Sequence, residues 1–281
     1  MQTDLIETFL DLAESQSFTA TAERLSVTQS TVSARVAALE ARLGQRLFRR
    51  GRAGTALTPE GQRFEPHARA LRLTWAEAQA AVSQPAQAAL VMRLGFQPDL
   101  VGVRFGDWIG AIRGALPDAA LYLEAVFSVP ISGGLVAGTL DLGILFTPTQ
   151  HPDLHYETLG ELRFELVSST QLSGIDEVDL ATYVVPDYSP AFLRSHADRV
   201  PQLAEGLTTA GQSNLALEVM QALGGASYQP QATVAAMLSA GTYCKVPDAP
   251  VLTQAVYGAV HLRHRHRTAH RRIMRALASA F

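Results

Sequence analysis

Short polar side chains cluster in one segment of the chain, the run VTQSTVSAR at positions 27–35. Its hydroxyl and amide side chains belong to Thr28, Gln29, Ser30, Thr31 and Ser33. A glutamine amide can pair with adenine in the major groove, and a serine hydroxyl can donate to or accept from a base edge or a phosphate. The first turn of a helix adds unpaired backbone N–H groups and a positive dipole end, which also favour phosphate. The segment therefore has the chemistry of a helix that contacts duplex DNA.

Helical spacing gives this segment, which extends to Gly44, an inner and an outer face. The apolar stripe expected to face the core consists of Val32, Val36, Leu39 and Leu43. Ser30, Ala34 and Ala37 point the opposite way, and their short side chains would let the helix lie deep in a groove. An ordinary amphipathic helix with an uncharged outer face has the same pattern, so the flanking sequence has to decide between the two.

The sequence before this helix favours a helix-turn-helix. Residues 18–25 have the composition of a short helix, and Ser26 and Val27 form a tight step before the next one. Residues 4–14 predict an earlier helix that turns an apolar face towards the pair. That face consists of Leu5, Phe9, Leu12 and Ala13.

A basic, glycine-punctuated run follows the second helix, from Leu47 to Thr55. It lies between two apolar residues, Phe48 and Leu57, and suits a two-stranded wing. Arg49, Arg50 and Arg52 could reach phosphates or a narrow minor groove. A solvated turn is the alternative reading of three clustered arginines.

Residues 1 to about 85 resemble the N-terminal domain of LysR-type transcriptional regulators. The matching positions are Phe18, Ala22, Leu25, Thr28, Gln29, Ser30, Val32, Ser33, Leu39, Glu40, Leu43, Gly44, Leu47, Phe48, Arg50, Leu57, Thr58 and Gly61. The resemblance implies a winged helix-turn-helix domain at 1–58, a linker helix at 59–83, a hinge at 84–89 and a C-terminal effector-binding domain at 90–281. The implied DNA-binding residues are Thr28, Gln29, Ser30, Thr31, Ser33, Ala34, Arg35, Arg49, Arg50 and Arg52.

One position departs from the family pattern. Members often carry arginine directly after the residue matching Ser33, whereas this chain has Ala34 there and Arg35 next. Ala34 can offer only a methyl group, which suits the methyl group of thymine. Arg35 lies to the side of the helix, where we expect it to hold a phosphate. The departure bears on which DNA sequence is read.

Composition and motifs restrict the remaining function classes. The chain has 281 residues, a net charge of −3 and 47% hydrophobic residues, which allows two domains with real cores. Cys244 is the single cysteine and is expected in the core, so no disulfide, metal or other cofactor is predicted. No signal peptide or membrane-spanning run is evident, which predicts a cytoplasmic protein. The GxSxG, P-loop, GxGxxG and HExxH motifs are missing, so an enzyme is not expected.

Thr58 and Pro59 mark the start of the linker helix, as N-cap and first residue. Apolar residues follow at alternating spacings of four and three, at Phe64, Ala68, Leu71, Trp75, Ala78 and Val82. This heptad pattern predicts pairing with the same helix of a second copy. Packing against the chain's own C-terminal domain is the alternative.

Strands alternate with helices from Leu90 onwards, beyond a polar, proline-containing hinge at 83–89. Strands are predicted at 90–96, 121–127 and 140–146, with helices at 98–114 and 131–137 between them, an order that implies a parallel sheet. Strands are then predicted at 159–168, 183–185, 208–209, 226–228 and 256–263, with helices at 190–196, 214–223 and 231–238. The fold class is thus α/β with an N-terminal, mostly helical winged domain. We expect two lobes like those of periplasmic binding proteins, lobe I at about 90–158 and 248–281 and lobe II at about 159–247.

Small ligands bind at the carboxyl ends of strands in such sheets. This rule selects Gln97, Pro98, Asp99, Ser128, Phe146, Thr147, Thr209, Ala210 and Tyr228 as candidate effector-binding residues. Asp99 would place a carboxylate at a helix N-terminus, which argues against an anionic effector, although it could also be a plain helix cap. A neutral or cationic effector, or none at all, is therefore open.

The C-terminal segment from His261 to Arg272 is rich in arginine and contains four histidines. A strand ending in solvent followed by a surface helix accounts for it. The alternatives are a supplementary contact with DNA or another anion, and a metal site made of His264, His266 and His270. Repulsion from the adjacent arginines argues against the metal site.

These observations together predict a sequence-specific DNA-binding transcriptional regulator of the LysR type, modulated by a small molecule bound between the two lobes. Self-association would give a dimer, or a tetramer, on a pseudo-palindromic operator in double-stranded DNA. A DNA-binding repressor or architectural protein that responds to no ligand is the alternative.

Overall fold

The computed structural model describes residues 3–51, 54–82 and 90–281. It contains two compact units, one formed by the N-terminal helices and the short hairpin and the other formed by nearly all of the chain beyond residue 90. The hinge predicted at 83–89 lies outside the described residues. Among those that are described, no helix is both long and apolar enough to span a bilayer.

The N-terminal unit is a winged helix-turn-helix followed by a long helix, as predicted. Its elements are α1 (Thr3–Ser15), α2 (Phe18–Arg24), α3 (Gln29–Leu43), β1 (Phe48–Gly51), β2 (Gly54–Leu57) and α4 (Pro59–Val82). The turn between α2 and α3 passes through Ser26, whose φ of 53° gives it a tight left-handed bend.

Hydroxyl side chains cap three helices of this unit. Ser17 Oγ accepts the N–H of Ala20 at the start of α2, and Thr28 Oγ1 accepts the N–H of Thr31 at the start of α3. Thr58 Oγ1 accepts the N–H of Gly61 at 3.0 Å, so Thr58 caps α4 as predicted. These caps fix where each helix begins, because they satisfy backbone donors that have no partner within the helix.

The predicted inward stripe of α3 is right at three positions and wrong at Leu43. Val32, Val36 and Leu39 are buried, but Leu43 is 42% exposed. Glu40 turns inward instead, and its Oε1 accepts the N–H groups of Leu47 and Phe48 at 2.7 and 3.1 Å. The chain that leaves the helix for the wing needs an acceptor for these buried donors, and that requirement overrides the apolar pattern.

The second unit is built on a seven-stranded mixed sheet. Its first part comprises β3 (Leu90–Phe96), α5 (Pro98–Val101), α6 (Phe105–Ala115), β4 (Ala119–Ala125), α7 (Ser128–Ala137), β5 (Leu142–Leu145) and β6 (Leu154–Ser168). The remainder comprises β7 (Val184–Pro186), α8 (Pro190–Arg199), β8 (Thr208–Ala210), α9 (Ser213–Leu223), β9 (Ala226–Pro230), α10 (Gln231–Ser239), β10 (Cys244–Lys245), β11 (Leu252–His261) and α11 (Thr268–Ser279).

Strand β3 lies parallel to both β4 and β5, which confirms the predicted βαβαβ order. The long strands β6 and β11 pair antiparallel with each other, and β11 also pairs with β5. Beyond Phe164, β6 continues into the region of β9 and β10. A separate parallel pair, β7 and β8, lies in that second region. The proposed lobe boundaries at about 158 and 248 stay predictions.

One predicted helix proves to be two. Residues 98–114 form α5 and α6, separated by a turn in which the N–H groups of Val103 and Arg104 both donate to the carbonyl of Leu100. Leu100 is buried on α5, and Trp108 and Ile112 are buried on α6. The break lets each helix turn its own apolar face towards the sheet.

Cys244, expected in the core, is half-buried in the edge strand β10.

Candidate DNA-reading surface and ligand cleft

The first turn of α3 presents Gln29 and Ser30 to solvent, as the sequence predicts. The hydroxyl of Thr28 lies 2.8 Å from the hydroxyls of both Ser30 and Thr31, so three side chains form one hydrogen-bonded cap. Gln29 lies beside this cap. Further along the same face Ala34 and Ala37 are exposed, while Ser33 is half-buried. The result is a slim, polar helix end whose backbone N–H groups and side chains can approach base edges or phosphates.

Arg35 makes contacts within the protein. Its Nη2 lies 3.1 Å from Asp4 Oδ2 and its Nη1 lies 3.4 Å from Thr8 Oγ1, so it ties α3 to α1. The Arg35 side chain is a quarter exposed, and the phosphate contact expected for it stays a prediction. The contact of Arg35 with α1 adds to the apolar packing between α1 and α3.

The predicted wing is present as the antiparallel pair β1 and β2. Phe48 stands opposite Leu57, and Arg49 stands opposite Ala56. Phe48 is buried and Arg49 is exposed, as expected for alternating sides of a hairpin. Arg50 lies on β1 opposite Thr55, and Arg52 lies outside the described residues. The N–H of Thr55 donates to the carbonyl of Gln16, which anchors the hairpin to the end of α1.

Arg46 is an exposed cation that the sequence reading did not include. It precedes the wing, its side chain is 86% exposed, and its Nη1 lies 3.4 Å from Glu40 Oε2. The sequence contains a signal for this residue, since Arg46 begins the basic run that continues through Arg49 and Arg50.

The structure also explains the glycine at position 61. A Cβ at this position would collide with the carbonyl oxygen of Leu47, so only glycine lets α4 pack this tightly against the segment that leads into the wing.

The heptad positions of α4 divide into two groups. Phe64 and Ala68 pack in the N-terminal core, where the Phe64 ring lies 5.1 Å from the ring of Phe9. Leu71 and Trp75 are 40% and 38% exposed, and Ala78 is exposed as well. The side chain of Val82 lies outside the described residues. Among the described side chains of α4 beyond Ala68, the apolar residues Leu71, Trp75 and Ala78 are therefore left partly uncovered within this unit.

A cavity of about 630 Å³ opens in the second unit. Its lining comes from Pro98, Asp99 and residues 101–103, from Ala125 at the end of β4, from the start of α9, and from Gln229 and Thr233. Carboxyl ends of parallel strands and helix N-termini thus meet there, as the strand-end rule requires. None of the residues that line it in the described part of the chain is basic.

Asp99 is buried in the wall of this cavity, and it caps a helix other than its own. Its Oδ1 accepts the N–H of Ser213 at 2.6 Å, at the first residue of α9. Its Oδ2 meets no hydrogen-bond partner among the described residues. Burial raises the pKa of the Asp99 carboxyl, and the bonds from Ser213 oppose that shift. The carboxylate already occupies the α9 N-terminus, where an anionic ligand would otherwise bind.

Gln229 is a cleft residue that sequence reasoning missed. It is fully buried on β9, and neither its Oε1 nor its Nε2 has a hydrogen-bond partner within the described chain. Such a side chain is costly to bury unless something else satisfies it. Nothing in the local sequence distinguishes Gln229 from a surface glutamine, because only the pairing of β9 with β6 turns it inward.

The other predicted effector residues do not line the cavity. Ser128 Oγ donates to Gln97 Oε1 at 3.0 Å and accepts the N–H groups of Phe146 and Thr147, so these four form a buried network that joins three strand ends. Tyr228 is buried and donates its hydroxyl to the carbonyl of Pro250. Ala210 is buried at the end of β8, and Thr209 on the same strand is exposed. Of the nine residues, the structure brings Pro98 and Asp99 to the cavity.

Comparison with protein families and curated proteins gives two kinds of match. Residues 3–62 match the model of bacterial regulatory helix-turn-helix proteins of the lysR family, and residues 86–281 match that of the LysR substrate binding domain. Among curated proteins, the HTH-type transcriptional regulator HdfR of Salmonella dublin is 29% identical over 238 residues, which cover 82% of each chain. HdfR of Yersinia enterocolitica is 26% identical over 240 residues, again covering 82% of each chain.

Solved structures share the fold over the whole chain. LysG of Corynebacterium glutamicum with bound effector Arg has a TM-score of 0.58 at 21% identity, with coverage of 100% of this chain and 98% of that one. DarR of Vibrio fischeri in complex with DNA has a TM-score of 0.57 at 18% identity, with coverage of 99% and 98%. A full-length OxyR variant of Pseudomonas aeruginosa has a TM-score of 0.57 at 24% identity, with coverage of 100% and 94%.

Proposed function

The chain belongs to the LysR family of DNA-binding transcriptional regulators, and we propose that it reads its operator with the first turns of α3. Gln29, Ser30 and Ala34 face the bases, and Arg49 and Arg50 of the wing hold the phosphates or the minor groove beside them. The observation that carries this assignment is the exposed, short-chained polar end of α3 next to a hydrogen-bonded helix cap. Its site of action is the cytoplasm, where bacterial DNA is accessible. We assign the chain no catalytic step.

Two copies of the chain read two half-sites. The uncovered apolar surface of α4 at Leu71 and Trp75 supports pairing between linker helices, and a two-fold dimer favours a pseudo-palindromic operator. Selection from a pool of random duplexes by the purified protein tests this directly. We expect enrichment of a sequence with two related half-sites. A pool that remains random after repeated rounds would overturn the sequence-reading role.

The cavity near Asp99 and Gln229 holds the effector. Two residues that line it carry buried polar atoms with no hydrogen-bond partner in the described part of the chain: Oδ2 of Asp99 and the amide of Gln229. The carboxylate repels anions and accepts N–H groups, and the amide can both donate and accept. The effector class that satisfies both is a small amine or amide with several N–H donors. LysG, which shares this fold, has been solved with bound Arg, whose amino and guanidinium groups carry several N–H donors.

Calorimetric titration with a panel of small amines and amides tests the effector site. Thr233 lines the cavity, so Thr233→Trp should fill it and abolish the heat of binding. Thr209→Trp is the matched control, because Thr209 is exposed and does not line the cavity. Binding that survives Thr233→Trp would place the ligand elsewhere. If no amine or amide binds the wild-type protein, the regulator that responds to no ligand is favoured instead.

A further inference from the structure

Two histidines of the basic C-terminal segment point into the protein and meet an acid that lies far away in the sequence. One nitrogen of His264, one nitrogen of His270 and one carboxylate oxygen of Asp141 all lie within 4.8 Å of one another. The two imidazole rings are 4.8 Å apart between centroids. Asp141 lies just before β5, His264 lies in the turn after β11, and His270 lies in the first turn of α11. We propose that these three side chains form a binding site for a divalent transition metal of the zinc class.

Burial distinguishes this cluster from a surface group of histidines. His264 and His270 are 2% and 4% exposed, and the Asp141 side chain is 13% exposed. The backbone of Asp141 offers a hydrogen bond to one ring nitrogen of His270, and the other ring nitrogen has no partner in the described part of the chain. A ring nitrogen without a partner is expensive to bury, and a metal ion would satisfy the nitrogen that faces the cluster.

Most of the arginines that argued against a metal site are exposed to solvent, while His264 and His270 are buried. They are Arg263, Arg265, Arg271 and Arg272. Arg267 is exposed as well, but its positive charge acts on the His270 ring and opposes binding of a cation. His266 is exposed too, which removes it from the ligand set suggested by the sequence alone. Asp141 takes its place and brings the negative charge that a set of histidines lacks.

Arg93 forms an ion pair with Asp141, a ligand of the proposed site. Its Nη2 donates to Asp141 Oδ1 at 3.0 Å, and its Nε and backbone N–H donate to Oδ2 at 3.1 and 2.8 Å. Oδ1 accepts one of these bonds, which leaves a lone pair for a metal. The contact fixes the orientation of the carboxylate, as outer-shell partners of metal ligands do, but its positive charge weakens binding of any cation. Ions that bind imidazole strongly, such as Zn²⁺, Co²⁺ and Ni²⁺, therefore fit better than Mg²⁺ or Ca²⁺.

The spacing of the ligands is compatible with a small shift on binding. Ligand atoms of a tetrahedral zinc ion are about 3.3–3.6 Å apart, given metal–ligand distances of about 2.0–2.2 Å. Rotation of the two imidazoles about their side-chain bonds can close the remaining gap. The bound ion would join the start of α11 and the turn after β11 to the loop that precedes β5, and so stabilise the second unit.

Metal uptake by the full-length protein tests the proposal and needs no DNA in the assay. The protein is freed of metal by a chelator, titrated with Zn²⁺ and analysed for bound metal after gel filtration. We expect one equivalent per chain and a rise in melting temperature. His264→Gln and His270→Gln should each lower the affinity by more than about 100-fold, since each removes a ligand. His266→Gln, an exposed histidine of the same segment, should bind like the wild type.

Any other pattern overturns the site. The site is rejected if the wild type binds no metal. It is also rejected if His266→Gln loses as much metal as the ligand variants do, or if both His264→Gln and His270→Gln still bind metal like the wild type. If a ligand variant fails to fold, the visible absorption spectrum of the wild-type protein loaded with Co²⁺ still tests the site. A tetrahedral site with nitrogen ligands gives intense visible absorption that Zn²⁺ abolishes by displacement, and weak octahedral absorption would contradict the assignment.

Discussion

Buried polar residues determine much of the local geometry that this protein needs for its function. Glu40 accepts the backbone N–H groups of Leu47 and Phe48 and so fixes the passage from α3 to the wing. Asp99, on the short helix α5, caps the N-terminus of α9. In both cases a carboxylate takes a position that apolar periodicity or local capping would have assigned differently.

Replacing Glu40 should weaken the N-terminal unit. Glu40→Ala removes the acceptor of two buried N–H groups, and each unsatisfied donor costs about 1–3 kcal/mol. We expect the free energy of unfolding to fall by about 2–4 kcal/mol in urea denaturation followed by circular dichroism. Glu23→Ala, an exposed glutamate on α2, is the control and should change it by less than about 0.5 kcal/mol. A loss in Glu40→Ala no larger than in the control would contradict the role.

His196 makes the stability of the second unit depend on pH. Burial lowers its pKa to about 4, and its Nε2 lies 2.7 Å from the hydroxyl of Tyr183. In the unfolded chain the pKa of a histidine is near 6.5. As the pH falls below about 6.5, the unfolded state therefore binds a proton, while His196 in the folded state stays neutral. This destabilises the folded state progressively until about pH 4.

The pH dependence of unfolding measures this effect. We expect the free energy of unfolding of the wild type to decrease between pH 6.5 and pH 4, by an amount on the order of 3 kcal/mol from this group. His196→Gln cannot be protonated in this range, so its decrease should be smaller by about that amount. Parallel curves for the wild type and His196→Gln would show that His196 carries no such penalty.

At the scale of elements, the linker helix α4 carries the prediction for assembly. Leu71 and Trp75 are exposed on it, whereas the heptad residues before them are covered by the N-terminal core. Replacing both with Asp should give monomers in sedimentation velocity, because two charges on each helix would face each other in a paired seam. Leu207→Asp, at an exposed leucine of the second unit, should leave the oligomer intact. Dimers that persist in the double variant would assign self-association to another surface.

The sequence predicts most elements because their signals are local. The cap at Thr58, the turn at Ser26 and the alternation of β3 need only a few neighbouring residues. The break between α5 and α6 was missed because helical periodicity continues across it, and the sheet decides which face each part buries. The inward turn of Glu40 was missed because the donors it satisfies lie in the following loop.

The candidate sites also differ in how far local sequence predicts them. The residues of α3 and the wing form a continuous segment, so their positions follow from one motif. The cavity draws on α5, β4, α9 and β9, and the strand-end rule located Pro98 and Asp99 but not Gln229. The histidine cluster needs Asp141, more than 100 residues away from His264, which no spacing rule could supply.

The whole molecule combines a DNA-reading unit with a unit that contains a ligand-sized cavity. A ligand can change DNA binding only if its affinity differs between two states of the regulator. Asp99 and Gln229 are placed to provide such a difference, because both line the cavity and Asp99 on α5 contacts the first residue of α9. An effector that satisfies both groups would favour one arrangement of the two lobes over others.

The discrimination ratio of the Gln29→Ala variant is the most direct test of the central claim that α3 reads bases. Affinities are measured at one salt concentration for the selected operator and for a scrambled duplex of the same length, because phosphate contacts make binding depend on salt. We predict that Gln29→Ala lowers operator affinity by about 10-fold or more and leaves scrambled binding unchanged, as loss of a base contact should. Gln45→Ala, beyond the other end of the helix, should keep the wild-type ratio. Equal losses on both duplexes, or no loss on either, would contradict the base-reading role of α3.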